Sequence, residues 1–215
     1  FLLKLCKYIC MINITYGWFC SFYICDCSIK KQVSQFEDLG VHIRKHAPWG
    51  NEDTQSIIKT LKEKNVHVTF FMTGGWVDTY PDDVKALYKA GHELGNHSQN
   101  HKQMSTISAA ECEDEIMKVH NKVKKLTGYD MKVFRPPYGD YNDVLIESAE
   151  KCGYHAIQWD VDSLDWKNYG VDSILTTVLN HKHLGKGSII LCHNGAKYTA
   201  KVLPKLIDSL KEKGF

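Results

Sequence analysis

From about residue 50 the chain alternates short apolar runs with amphipathic stretches, and this alternation limits its fold more than any other feature. Ile57, Ile58 and Leu61 fall on one face of a helix that Asn51 or Asp53 would cap and Asn65 would end. The run Val66-His67-Val68-Thr69-Phe70-Phe71 reads as a strand. Pro81 suits a helix first turn, and the helix carrying Val84, Leu87 and Tyr88 should stop at Gly91. A strand-like His92-Glu93-Leu94-Gly95 follows. Ser108 with Glu111 forms a capping-box pattern opening a long helix through Ile116, Val119, Val123 and Leu126 to Gly128. Further strands are expected near Lys132 to Phe134, Tyr154 to Trp159 and Ser188 to Leu191, with helices at Val144 to Lys151, Asp172 to His181 and Lys201 to Lys213. Short apolar strands separated by helices predict a parallel sheet with helices outside, open or closed as a barrel.

In such folds chemistry collects at the carboxyl ends of the strands. Four segments at those ends carry unusual residues. His97-Ser98-Gln99-Asn100-His101 places two imidazoles four apart, able to share a metal if the backbone between them turns tightly. Taken alone it is a weak pattern in a chain with eleven histidines. Phe134-Arg135-Pro136-Pro137-Tyr138-Gly139 reads as a rigid turn, but a turn does not require its arginine. Asp160-Val161-Asp162-Ser163-Leu164-Asp165-Trp166 is either a solvated acidic loop or a sugar-stacking tryptophan beside carboxylates. Leu191-Cys192-His193-Asn194 ends a strand with a histidine that is either a hydrogen-bonding anchor or a catalyst. Their recurrence at equivalent positions favours a site.

Composition narrows the function. The 215 residues are 43% hydrophobic and 24% charged, enough for a full core, and a net charge of +2 without a basic stripe argues against nucleic acid as partner. Five of the eight cysteines lie in the first 27 residues, and their spacing fits neither a zinc ribbon nor a disulfide framework. Cys112, Cys152 and Cys192 read as small buried residues. Lys4 and Lys7 precede an uncharged run, Tyr8 to Cys25, resembling a signal peptide or anchor. Residues 1–30 are therefore expected to be a leader, giving membrane association through residues 1–25 and an extracellular or cell-envelope location, or a cytoplasmic one if that leader is not native. Residues 31–215 are expected to form the globular domain.

From Trp49 onward the chain resembles the polysaccharide deacetylases of carbohydrate esterase family 4. His97 to His101 resembles the family's metal motif, Arg135 to Gly139 its third motif, Leu164-Asp165-Trp166 its fourth and Leu191-Cys192-His193 its fifth. The resemblance implies a distorted (β/α) barrel with fewer than eight complete units, lacking the first and last strands. It also implies hydrolysis of N-acetyl groups on an amino-sugar polysaccharide such as peptidoglycan or chitin. A divalent metal, most simply zinc, would bind His97 and His101, with the Tyr138 backbone N–H at the oxyanion. His193 would protonate the leaving amine, Asp165 would orient His193, Arg135 would hold the catalytic carboxylate, and Trp166, Leu191 and Pro137 would shape the substrate pocket.

One position departs from the pattern. The family's first motif supplies an Asp base, expected as Phe-Asp-Ala-Ala before Trp-Gly-Asn-Glu-Asp-Thr. Here Trp49-Gly50-Asn51-Glu52-Asp53-Thr54 follows Lys45-His46-Ala47-Pro48, putting His46 at the base position. Gln35-Phe36-Glu37-Asp38-Leu39-Gly40 imitates the motif but sits too far upstream. Three accounts compete: His46 serves as base or third nitrogen ligand; the site is impaired and the chain is a carbohydrate-binding relative; or the sequence before Trp49 is not the natural one. Glu52 and Asp53 are further candidates for a third ligand.

Overall fold

The structure is a computed structural model that describes residues 40–43, by their backbone, and residues 50–215. The expected leader at residues 1–30 and the candidate base His46 lie outside the described residues. In chain order the elements are β1 (Gly40–Ile43), α1 (Thr54–Lys64), β2 (Thr69–Met72), α2 (Gly74–Thr79), α3 (Pro81–Lys89), β3 (Glu93–Asn96), α4 (Ala109–Thr127), β4 (Val133–Phe134), α5 (Asp143–Lys151), β5 (His155–Ala156), β6 (Val161–Asp162), α6 (Val171–Leu179), β7 (Ile190–Asn194) and α7 (Thr199–Glu212).

The seven strands form one sheet ordered β5-β4-β3-β2-β1-β7-β6, every pairing parallel. As expected, the described residues hold fewer than eight strands, with helices following them; the sheet they form is open, with β5 and β6 at its edges. The expectation that the first strand is lacking is corrected: a strand at Gly40–Ile43 takes the central place between β2 and β7. Its register sets two rows across the sheet. Gly95, Phe71, His42 and His193 share one, and Asn96, Met72, Ile43 and Asn194 the next. Asp38 precedes β1, so the upstream imitation of the first motif does not follow a strand end, whereas His46 does follow it in sequence.

β2 and β7 are buried along their whole length, as strands covered on both faces must be. The core joins Phe70, Met72 and Leu94 of the sheet to Ile57, Leu61, Val84, Leu87, Ile116, Val119, Val123, Leu145, Val178 and Leu206 of the helices. The capping box of α4 is present, Ser108 accepting from the Glu111 backbone while Glu111 accepts from Ser108, and Gly128 ends the helix in the left-handed region. Asn65 ends α1 in the same way.

Two local expectations are corrected, and one helix is added. Neither Asn51 nor Asp53 caps α1 through its side chain; Asn51 Nδ2 donates to Asp83 Oδ2 at 2.5 Å, and Gln55 supplies a second bond to the same carboxylate. The run Tyr154 to Trp159 is not one strand: His155–Ala156 pairs with β4, and after the chain bends, Val161–Asp162 pairs with β7 at the opposite edge. Asp160 fixes the bend by accepting from Ile189 N and Ser188 Oγ. Thr73 caps an unanticipated short helix, α2, its hydroxyl accepting from Trp76 N. Cys112 and Cys192 are buried, Cys152 is half-buried, and all three are free thiols as expected.

His92, just before β3, is buried against Phe70, and neither ring nitrogen has a hydrogen-bond partner among the described residues. Burial, helped by nearby His67, lowers its pKa from 6.5 to about 4. The unfolded chain therefore binds this proton first, and stability falls as pH drops from 6.5 toward about 4. Urea unfolding across that range should show a shallower acid loss for His92→Phe than for wild type. Parallel pH profiles would exclude this role.

Candidate active site

The carboxyl edge of the sheet gathers the unusual segments. The chain leaves β3 at Asn96, whose buried amide donates to Ile116 O and Tyr154 Oη and whose Oδ1 accepts from Ser98 N. Ser98 and His101 adopt left-handed φ of 64° and 54°, a conformation uncommon outside glycine. Buried bonds hold it there: Ser98 Oγ accepts from His101 N, Ser98 O accepts from Gly74 N, and Glu115 accepts from the Asn100 backbone and side chain. The tight turn that the four-residue spacing requires is thus built from hydrogen bonds, and it brings the His97 and His101 rings to 4.7 Å between centroids.

His97 Nδ1 lies 2.6 Å from the Arg135 carbonyl. A carbonyl only accepts, so Nδ1 donates, and Nε2 is the nitrogen with a lone pair. A histidine held in this way is oriented for metal ligation. His101 is buried and meets the Tyr138 ring edge-on at 4.5 Å. The donor chemistry of the two histidines therefore fits a divalent ion. Among the described residues no third His, Cys, Asp or Glu groups with them. Glu52 folds back over Gly50, and Asp53 sits before α1 with its pKa raised by burial and then by Glu52.

Arg135 continues from β4. It is fully buried, with its guanidinium carbon 4.0 Å above the Phe71 ring. That ring lies flat only because its neighbour in β3 is Gly95, where a Cβ would come within 2.5 Å of it. Burial pushes the Arg135 pKa down to about 9, an unusual fall for a guanidinium. Pro137 is buried beneath the following turn, in which Tyr138 takes φ 62° and leaves its side chain 56% exposed.

At the other end of the row, Asp165 is fully buried and accepts three hydrogen bonds: from His193 Nδ1 at 2.7 Å, from His193 N at 2.6 Å and from Thr199 Oγ1 at 2.5 Å. With Nδ1 donating to the carboxylate, Nε2 is the ring nitrogen that carries the lone pair in neutral His193. Leu191 is buried two residues before His193, on the same face of β7. Trp166 is 41% exposed beside Asp165, and Lys167 Nζ lies 5.2 Å from its ring. Beside His193, Asn194 Nδ2 donates to the buried Thr54 hydroxyl, tying β7 to α1.

The structure thus brings His97, His101, Arg135 and Tyr138 into one contact group and Asp165 and His193 into another, on one edge of a continuous sheet. Sequence reasoning missed Asn96, Asn194 and Thr199. The two asparagines carried a readable signal, a polar residue closing a mostly apolar strand, where burial demands a hydrogen-bond partner; Thr199 carried none.

A polysaccharide deacetylase model matches residues 26–157. The chain belongs to the polysaccharide deacetylase family. A Geobacillus stearothermophilus relative, an uncharacterised 30.6 kDa protein, is 38% identical over 203 residues, which cover 91% of this chain and 71% of the relative. A Bacillus cereus peptidoglycan-N-acetylglucosamine deacetylase is 35% identical over 167 residues, 76% of this chain and 60% of that protein. Among solved family structures, a mutant of a Bacillus anthracis carbohydrate esterase family 4 pseudoenzyme with restored enzymatic activity superposes with a TM-score of 0.77 at 32% identity, covering 84% of this chain and 64% of the other. The chain thus spans about three fifths of the length of the last two relatives.

Because it donates to the buried Asp165 carboxylate, the Thr199 hydroxyl should matter to stability. Thr199→Val leaves a buried carboxylate oxygen short of one donor and should cost ~1–3 kcal/mol in urea unfolding, while Thr199→Ser stays near wild type. Equal losses in both variants would point to packing instead.

Proposed function

We propose that this chain is a metal-dependent hydrolase that removes N-acetyl groups from an amino-sugar polysaccharide of the cell envelope. The observation that carries the reading is the Arg135 carbonyl fixing His97 Nδ1, which leaves Nε2 as the ring nitrogen outside that bond and able to ligate, beside the buried ring of His101. His97 and His101 would hold the divalent metal, most simply zinc. When bound, such an ion supplies Lewis-acid polarisation of a carbonyl and lowers the pKa of water. The chain's own residues supply the rest. The Tyr138 backbone N–H, presented by its left-handed turn, donates to the developing oxyanion. His193, oriented by Asp165, transfers a proton through Nε2 to the leaving amine. Trp166 offers an exposed ring for sugar stacking, with Leu191 and Pro137 as apolar walls. The Bacillus cereus relative's name specifies peptidoglycan N-acetylglucosamine, and the same substrate class is our proposal for this chain.

A second reading has its own observation. The sequence from Leu39 to Asn51 contains no carboxylate, so His46 stands where the family places its base. A chain impaired in this way would bind N-acetylated glycan without hydrolysing it, as befits a relative of a pseudoenzyme whose activity a mutant restores.

Acetate release from N-acetylglucosamine oligomers, with zinc added, separates the two. If the first reading holds, wild type releases acetate and His97→Ala abolishes release. If the second holds, wild type binds the oligomer silently and His46→Asp starts release. Neither binding nor turnover in any of these proteins would refute both.

A further inference from the structure

A line of hydrogen bonds joins the outer face of α4 to the histidine turn, and the chemistry at its inner end fixes the direction of each bond. Ser98 N can only donate, so the Asn96 atom that it meets at 3.0 Å is the oxygen Oδ1. Asn96 Nδ2 therefore donates, to Ile116 O at 2.8 Å and to Tyr154 Oη at 3.3 Å. With its oxygen accepting from Asn96, the Tyr154 hydroxyl sends its hydrogen to His120 Nδ1, 2.7 Å away. Nδ1 then carries the lone pair, and the ring hydrogen sits on Nε2, 3.3 Å from Asp130 Oδ1. Tyr154 is buried, which pushes its pKa up, so the phenol keeps the hydrogen it donates. The His120 side chain retains 12% exposure, enough for protons to reach the line at this end. It faces Asp130, Lys124 and Lys132 as well as Tyr154. Burial lowers its pKa from 6.5, Asp130 opposes the fall, and the two lysines add to it.

We propose that His120 is a positioning residue for the histidine turn: through the Tyr154 hydroxyl it holds the Asn96 amide, so that Asn96 Oδ1 stays on Ser98 N between His97 and His101. Only neutral His120 can do this. An imidazolium donates from both nitrogens, so its Nδ1 competes with Asn96 Nδ2 for the Tyr154 oxygen. The hydroxyl hydrogen then faces two donors and loses its acceptor. A proton taken up at the outer face thereby loosens the bond that shapes the turn. The inference rests on the reading of His97 and His101 as ligands only where metal affinity is concerned; the bonds themselves do not depend on it.

The test uses the full chain cleared of metal with a chelator. The 15N shifts of His120 should show the Nε2–H tautomer above pH 6.5. Hydrogen exchange of the Ser98 amide is then followed as pH falls below 6.5, against the Cys112 amide, which Ser108 O holds near the start of α4. In wild type, Ser98 should lose protection relative to Cys112 as His120 takes its proton. His120→Asn keeps an acceptor but does not titrate, so its profile should be flatter, although His97 and His101 titrate in both proteins. His120→Leu and Tyr154→Phe should show Ser98 protection lower by roughly fivefold already at neutral pH, and weaker zinc binding when the ion is added back. An Nδ1–H tautomer, or parallel Ser98 profiles for wild type and His120→Asn, would overturn the proposal, and both are read even if the leucine variant fails to fold. So would zinc affinity unchanged in Tyr154→Phe while His97→Ala lowers it. If His97→Ala leaves zinc affinity intact, the ligand reading fails, and the tautomer and the exchange profiles still decide this inference.

Discussion

Parallel pairing in register is the constraint on which the rest of the structure depends. When β3, β2, β1 and β7 run the same way and their residues align in rows, every strand delivers its carboxyl end to one edge. Groups separated by a hundred residues then share a surface without any long-range contact designed for them. That edge is also where the backbone leaves its ladder, so its polar groups need other partners. Asn96, Ser98 and Glu115 supply them, and in doing so hold two non-glycine residues of the histidine turn in left-handed conformations. The hydrogen-bonded edge and the reactive edge are the same place.

The two halves of the site are stabilised differently. Asp165 and His193 satisfy each other, with Thr199 taking the remaining demand of the carboxylate. Their geometry is complete from residues of this chain. Arg135 sits in a hydrophobic slot formed by Phe71 and opened by Gly95, a place that suits a cation only when a negative partner stands opposite. One half is closed by residues of this chain, whereas Nη1 and Nη2 of Arg135 in the other half have no hydrogen-bond partner among the described residues.

Much of the fold could be read from the chain because hydrophobic period and punctuation agreed. Ser108, Glu111 and Gly128 marked α4, and Asn65 marked the end of α1, through local backbone physics that needs no tertiary context. Where tertiary demand won, the reading failed. Asn51 looked like a cap, yet its amide is drawn to Asp83 on another helix. The apolar run at Tyr154 to Trp159 looked like one strand, yet pairing partners at opposite edges divide it. β1 was missed because the resemblance was read only from Trp49 onward, whereas the family model matches from residue 26 and takes in Gly40–Ile43. Within the site, the spacing of His97 and His101 implied a turn but not the Ser98 and Asn96 bonds that make it. His193 and Asp165 were named from their motifs, while the hydroxyl completing them lies in a helix first turn that no pattern distinguishes.

The open sheet has one more consequence. A row of unpaired backbone donors and acceptors along an edge strand invites pairing with another chain. Here the two edges, β5 and β6, are each only two residues long, and the bend at Asp160 turns the backbone away from one before it reaches the other. So short a ladder offers an incoming strand few hydrogen bonds and no stretch over which to settle a register. Brevity at its margins therefore protects this sheet against edge-to-edge association, a task that full closure performs in a complete barrel.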